Sequence, residues 1–309
     1  MIRTVNGDIC PEKGCNTLMH EHILCASSDM IAAFGKKWLD KDKLGTYSAE
    51  ILRTIKEKYG VGIYVDGTPI DLGRDVRLLK RVSDESGMPI VASTGFYYFP
   101  DMFTVSRESE ELSEWLVYEC ENGLEGTDIL PGILKCATER SLDDDVAKRL
   151  GALGITQAKT GLPLYVHCSF LENIANDQID ILMSKGADPK KIVLGHASRR
   201  LCPDYLESVL KRGCSVCIDQ SWGTEKESAC VAELCRRGYA KQIMFSCDRP
   251  IYSDFQKGEN TGEKSDKSVH IERYGYPFAV LLPALLAEGV SEEDCNTMYK
   301  ENPVNFLSI

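Results

Sequence analysis

A chain of 309 residues, 43% hydrophobic and 27% charged, can bury a large core, and it has no apolar run of membrane-spanning length. Its net charge of −11 opposes nucleic-acid phosphates and anionic lipid surfaces, so no nucleic acid and no membrane is expected as a partner. The 13 cysteines are odd in number and scattered, and the amino terminus lacks the apolar core of a secretory signal, so a reduced, cytoplasmic protein is expected.

In chain order, short apolar, β-rich runs alternate with stretches of helical periodicity, the pattern of parallel βαβ units. Eight runs read as strands: 17–23, 62–67, 89–95, 132–137, 163–169, 191–196, 214–219 and 242–248. Their continuous apolar character suits strands buried on both faces. Helices are predicted between them over 49–58, 75–86, 143–154, 177–185, 203–212 and 226–237. Eight such units predict an α/β fold, a single (β/α)8 barrel domain over 1–309. The alternative is an open doubly wound sheet, but the Gly-rich phosphate fingerprint is missing after the first strand. The polar stretch 256–267 follows the eighth strand and reads as a lid, a specificity loop or an ordinary solvated loop. Cys214 and Cys217 lie in an apolar run without a second pair and read as packing residues.

Barrels of this kind build their active sites at the carboxyl ends of the strands. His20 and His22 end the first strand and, two apart, share a face. Lys135, His167, His196 and Asp248 occupy the corresponding ends of later strands, so four of the five histidines fall on one rim. Alone, each has an ordinary structural explanation. Together, four imidazoles and a carboxylate suit zinc or a similar divalent ion, and two adjacent ions need about this many donors plus a bridge. His270, beyond the polar stretch, is expected at the surface or in a substrate loop.

Read in order, Met19-His-Glu-His22, Val65-Asp-Gly-Thr-Pro69 with Leu72-Gly-Arg-Asp75, Ser93-Thr-Gly-Phe-Tyr97, Ile133-Leu-Lys-Cys-Ala137, Val166-His167, Gly195-His196, Cys247-Asp248 and Glu301-Asn-Pro-Val-Asn-Phe-Leu307 carry a resemblance. The chain resembles the phosphotriesterase family of the amidohydrolase superfamily almost end to end. The resemblance implies a binuclear site: His20, His22 and Asp248 on the more buried ion, His167 and His196 on the more exposed one. Lys135, carboxylated by carbon dioxide, would bridge both. Zinc is the expected metal, with manganese, cobalt and iron as alternatives.

The implied reaction is attack by a shared hydroxide on a lactone or carboxylic ester, with Asp248 taking up the proton and Tyr97 orienting the substrate over the metals. A phosphorylated sugar lactone fits one subgroup, and Arg249, Arg273 and Tyr276 would then hold the anion. Phosphotriester, phosphodiester or amide hydrolysis on the same site remains the alternative, followed by a non-catalytic metal-binding barrel. Two departures from the family pattern stand out. Where the family carries an acid shortly after the histidine of the sixth strand, this chain reads His196-Ala-Ser-Arg199-Arg200, and Gln220 stands where phosphotriesterases place a histidine after Asp219. Both speak against an Asp-His proton relay and against a specialised phosphotriesterase, and for a relative with another substrate. Glu21 is expected to point away from the metals. A small-molecule substrate and a homodimer complete the expectations.

Overall fold

The computed structural model describes residues 1–11, 14–139, 141–169, 174–220, 224–255 and 266–309. After a short antiparallel pair, Ile2–Thr4 with Gly7–Ile9, the chain forms β1 (Asn16–Cys25), β2 (Val61–Asp66), β3 (Ile90–Gly95), β4 (Ile133–Thr138), β5 (Leu164–Cys168), β6 (Ile192–Gly195), β7 (Ser215–Ile218), β8 (Ile243–Phe245) and β9 (Pro250–Ser253). Consecutive strands from β1 to β8 pair in parallel, and β9 pairs in parallel with the free side of β1. Helices connect them, and the fold is a (β/α)8 barrel. Among the described residues no helix is long and apolar enough to cross a membrane.

The eighth barrel position is split. β8 pairs with β7 and β9 with β1, and the intervening residues are stitched to β1 by side chains. Glu21, buried, accepts from Ser246 Oγ at 2.7 Å, Cys247 N at 2.7 Å and Arg249 N at 3.0 Å. His20 N donates to Ser246 Oγ at 2.8 Å, and Asp248 N donates to His20 O at 2.9 Å. Asp248 therefore sits at a fixed bend with φ +50 rather than at a strand's free end.

The barrel interior is a layer of Met19, Ile63, Val65, Val91, Ile133, Tyr165, Val193, Cys217 and Met244, capped below by Phe306 and Leu307. Strand alternation carries this face upward by two residues to Lys135, His167 and Asp219. Two positions need more than alternation. In β1 the register shifts between Leu18 and Glu21, three residues against two on β2, and this bulge turns His20 and His22 onto the face that Met19 already occupies. In β6 the interior residue is Val193, and His196 is aimed inward by a left-handed backbone, φ +65.

Helix bounds differ where glycines or charges mask the period. The helix expected to end at 154 runs as Asp144–Thr160. Gly151 and Gly154 are packing contacts rather than a stop: a Cβ on them would lie 2.4 Å from Ser109 Oγ and 2.9 Å from Leu182 O. The helix expected from 49 begins earlier, as Lys41–Tyr59, capped by Asp40. Ser109–Asn122 was not among the expected helices. It starts on a capping box of Glu108 and Glu111 and buries Leu112, Leu116 and Cys120 at helical spacing. Cys214 and Cys217 belong to different core layers on opposite faces of their run, and both are free thiols. Positions 256–265 of the polar stretch lie outside the described residues; Lys267 opens a helix, Lys267–Tyr276.

His270 corrects the sequence reading. It is 0% exposed, on the face of that helix turned to Tyr47, ring centroids 6.0 Å apart. Neither ring nitrogen has a hydrogen-bond partner among the described residues. Burial, then the charge of Arg273, pushes it down to about 4 from 6.5. A histidine lowered on folding costs stability as pH falls below 6.5, with the full cost present below about 4. His270→Leu is therefore expected to move the acid-unfolding midpoint to lower pH while leaving thermal stability at pH 8 unchanged or higher; an unchanged acid limb would refute this.

Candidate metal centre

At the carboxyl end of the barrel the strands bring His20, His22, Lys135, His167, His196 and Asp248 together, all buried except Asp248, whose side chain is 12% exposed. His22 Nε2 lies 3.1 Å and His20 Nε2 3.5 Å from Asp248 Oδ1. His196 Nε2 faces His167 Nδ1 at 2.7 Å, and Lys135 Nζ is 2.5 Å from His20 Nε2.

The outward nitrogen of each ring is held by an oxygen. Asp219 Oδ2 faces His20 Nδ1 at 3.0 Å and its Oδ1 faces His196 Nδ1 at 2.7 Å; Glu139 Oε2 faces His167 Nε2 at 2.5 Å; Thr68 Oγ1 faces His22 Nδ1 at 2.8 Å. An ionised carboxylate only accepts, so for three rings the proton is on the outward nitrogen and the lone pair points inward. Burial, then the charge of Lys135, pushes His20 down to about 3, and burial pushes Lys135 down to about 8. His167 is held well below its ordinary value by burial and then by His196. Burial alone would raise Asp219, but the imidazoles of His196 and His20 outweigh it and hold the carboxylate low.

Inward lone pairs this close together, beside a lysine driven toward its neutral amine, repel one another unless an electrophile lies among them. The donor set therefore fits divalent metal. His20, His22 and Asp248 offer ligand atoms all within 4.8 Å of one another, as do His20, His196 and Asp219, but Asp219 is already committed to outward N–H groups.

The family model for the phosphotriesterase family matches residues 1–307. The chain belongs to that family. Among curated relatives of this phosphotriesterase-family member, an aryldialkylphosphatase of Saccharolobus solfataricus is 28% identical, covering 94% of each chain. A phosphotriesterase homology protein of Escherichia coli is 27% identical over 80% of this chain and 84% of its own. An N-acetyltaurine hydrolase of Rattus norvegicus is 25% identical over 99% of this chain and 97% of its own. Metal-dependent hydrolysis is the chemistry of the family, and two of these relatives are named for different reactions, one as an aryldialkylphosphatase and one as an N-acetyltaurine hydrolase.

A cavity of about 570 Å³ opens above the centre, lined by His22, His167 and Asp248 and by Tyr97, Tyr98, Phe99, Glu139, Arg199, Gln220, Arg249, Phe255 and Arg273. Tyr97 stands edge-on to His167, centroids 5.6 Å apart. Its backbone is clamped from two sides: Asp71 Oδ1 accepts from Tyr97 N at 2.7 Å, and the buried Arg149 donates to Tyr97 O at 2.6 Å. Arg249 and Arg273 both face the cavity, close enough that the charge of Arg273 lowers Arg249 further after burial has done so. Tyr276 is not among the lining residues; its hydroxyl donates to Glu227 at 2.9 Å, so the structure does not bring it to the arginines' cavity.

The sequence assigns no place in the site to Glu139, Thr68 or Tyr165, and names Asp219 only for the residue that follows it; in the structure the Tyr165 hydroxyl donates to Asp219 Oδ2 at 2.5 Å. A usable signal existed for Asp219 and Glu139. Asp219 follows the last residue of β7 and Glu139 the last of β4, the positions where a barrel places working polar groups.

Proposed function

We propose that this phosphotriesterase-family member hydrolyses a lactone or carboxylic ester that carries an anionic group, such as a phosphorylated sugar lactone, with two divalent ions in its centre. What supports the reading most is one juxtaposition: inward lone pairs of buried histidines at the floor of a cavity whose side carries Arg249 and Arg273. His20, His22 and Asp248 would hold one ion and His167 and His196 the other, with Lys135 as a carbamate shared by both; zinc suits an imidazole-rich set best, and manganese, cobalt and iron are accommodated. When bound, such ions lower the pKa of water and polarise the oxygen of the scissile group.

The remaining work falls to the chain. Asp248, whose Oδ2 accepts from Gln220 and whose Oδ1 faces His22 and His20, takes the proton released by the attacking water and returns it to the departing oxygen. Tyr97, fixed by Asp71 and Arg149, orients the ring or leaving group against His167. Arg249 and Arg273 bind the anion, and the aromatic side chains Tyr98, Phe99 and Phe255 exclude water.

A second reading keeps the site and changes the bond. The relative named N-acetyltaurine hydrolase has an amide substrate ending in a sulfonate, and the same two arginines would hold that anion. A neutral phosphotriester makes no use of them. A panel of phosphorylated and uncharged lactones, carboxylic esters, phosphotriesters and N-acyl sulfonates, assayed with and without metal, separates these readings. Arg273→Ala is expected to raise KM for an anionic substrate by roughly 10–100-fold, the worth of a charge-assisted hydrogen bond, and to leave an uncharged one nearly unaffected. Equal effects on both would remove the anion from the proposal.

A further inference from the structure

The positions that break the family pattern are joined in one chain of hydrogen bonds. Gln220 Nε2 donates to Asp248 Oδ2 at 2.5 Å, Arg199 Nε donates to Gln220 Oε1 at 2.9 Å, and Arg199 Nη1 donates to Glu139 Oε2 at 3.0 Å. Glu139 Oε2 in turn faces His167 Nε2 at 2.5 Å. The chain thus begins on a candidate ligand of one ion and ends on a candidate ligand of the other.

We infer that Arg199 is a positioning residue that holds the two halves of the metal centre together, Asp248 through Gln220 and His167 through Glu139. The inference rests on the metal-dependent reading above. Its argument is one of donor direction. A guanidinium only donates, so Arg199 pins the oxygen of the Gln220 amide and leaves only the NH2 group to face Asp248. Toward Gln220, Asp248 Oδ2 can then only accept, and the carboxylate keeps the orientation in which Oδ1 faces His22 and His20. On the other branch Arg199 fixes Glu139, which holds the outward N–H of His167 and so aims its Nδ1 inward. Gln220 itself is held in a left-handed conformation, φ +54, which sets its amide toward Asp248. Two different nitrogens of one planar fork serve the two branches, and an ammonium on a flexible stem has no equivalent geometry. Where a relay would move a proton, these residues form a strut.

The test is a metal titration that does not depend on turnover. Metal-free wild type and variants are loaded with zinc in competition with a chromophoric chelator, giving two dissociation constants per chain. His22→Ala and His167→Ala assign each constant to its half. Arg199→Met is expected to raise both constants, each by about 10-fold or more, the range seen when the partner of a ligand is lost. Gln220→Met should raise only the constant of the His22 half, and Glu139→Gln only that of the His167 half. Arg199→Lys should not restore either constant. In an Arg199→Met background, Gln220→Met should add less than about twofold, because an amide no longer pinned at its oxygen has already ceased to orient Asp248. Arg199 is a rim residue, 21% exposed; if its variants still fail to give folded protein, Gln220→Met and Glu139→Gln carry the test, each predicted to move one constant and leave the other. Independent, additive effects, a change in only one constant for Arg199→Met, or no change overturns the strut. A wild type that binds no metal overturns the metal-dependent reading itself, and the strut falls with it.

Discussion

Lys135→Ala is expected to lower bound metal from about two ions per chain to one or fewer and to cut hydrolytic turnover by roughly a thousandfold, since the ions are credited with several kcal/mol of barrier lowering. Lys135 is fully buried, with its Nζ 2.5 Å from His20 Nε2 and 4.5 Å from the centre of the Tyr165 ring. An ammonium there would face His20, a candidate metal ligand. Burial lowers it to about 8 from 10.5, and at pH 7 that raises the neutral fraction from about three in ten thousand to about one in ten. Addition of carbon dioxide to the neutral amine would form the N–C bond and release one proton, turning a cation into an anion with two oxygens. Loading of metal-free wild type should therefore accelerate with bicarbonate and with pH rising toward about 8, whereas loading of Lys135→Ala should respond to neither. The stability of the metal-free variant should change little, because the lost stem packing is offset by removing a buried amine. Full metal content in the variant, or a wild type prepared without chelators and with bicarbonate that holds no metal, would sink the carbamate.

The sequence showed the strands better than their connections. Strands of a parallel barrel are buried on both sides, so 89–95 and 132–137 read as unbroken apolar runs and the structure places β3 and β4 within a residue of them. Helix ends were less legible because Gly151 and Gly154 look like a stop in sequence and act as contact points only once neighbouring helices are in place. The split of the last strand was invisible for the same reason: the side chain that holds the residues between its two pieces, Glu21, lies more than two hundred residues away. The histidines at strand ends were visible as a set because each follows its own apolar run. Asp219 and Glu139 were not singled out, since a carboxylate earns its role only when a particular ring nitrogen faces it. His270 misled because it follows a polar stretch, and only packing against Tyr47 makes it a core residue.

Asp219 is the position where one conservative change should do the most damage. Its two oxygens serve four donors: Oδ1 takes the backbone N–H and Nδ1–H of His196, both at 2.7 Å, and Oδ2 takes His20 Nδ1–H at 3.0 Å and the hydroxyl of Tyr165 at 2.5 Å. Asn keeps the shape but presents one acceptor and one donor group, so two donors lose their partner and meet an NH2 instead. Buried and unsatisfied, these should cost about 3–5 kcal/mol of stability in Asp219→Asn. The same change frees both His20 and His196 to take the wrong tautomer, so both metal constants should weaken by roughly 10–100-fold together. Tyr165→Phe is the contrast, since it removes one donor and leaves both rings held; its cost should be about 1 kcal/mol, with metal binding nearly unchanged. The acid limb of stability carries the same signature. Asp219 is held below its ordinary 3.8, so its contribution is present above that pH and is lost as pH falls through the lower folded value. The metal-free Asn variant should lack that part of the acid transition. If instead it bound both ions as the wild type does and unfolded within about 2 °C of it, the shared carboxylate would be a bystander rather than the piece that aims a ligand of each ion.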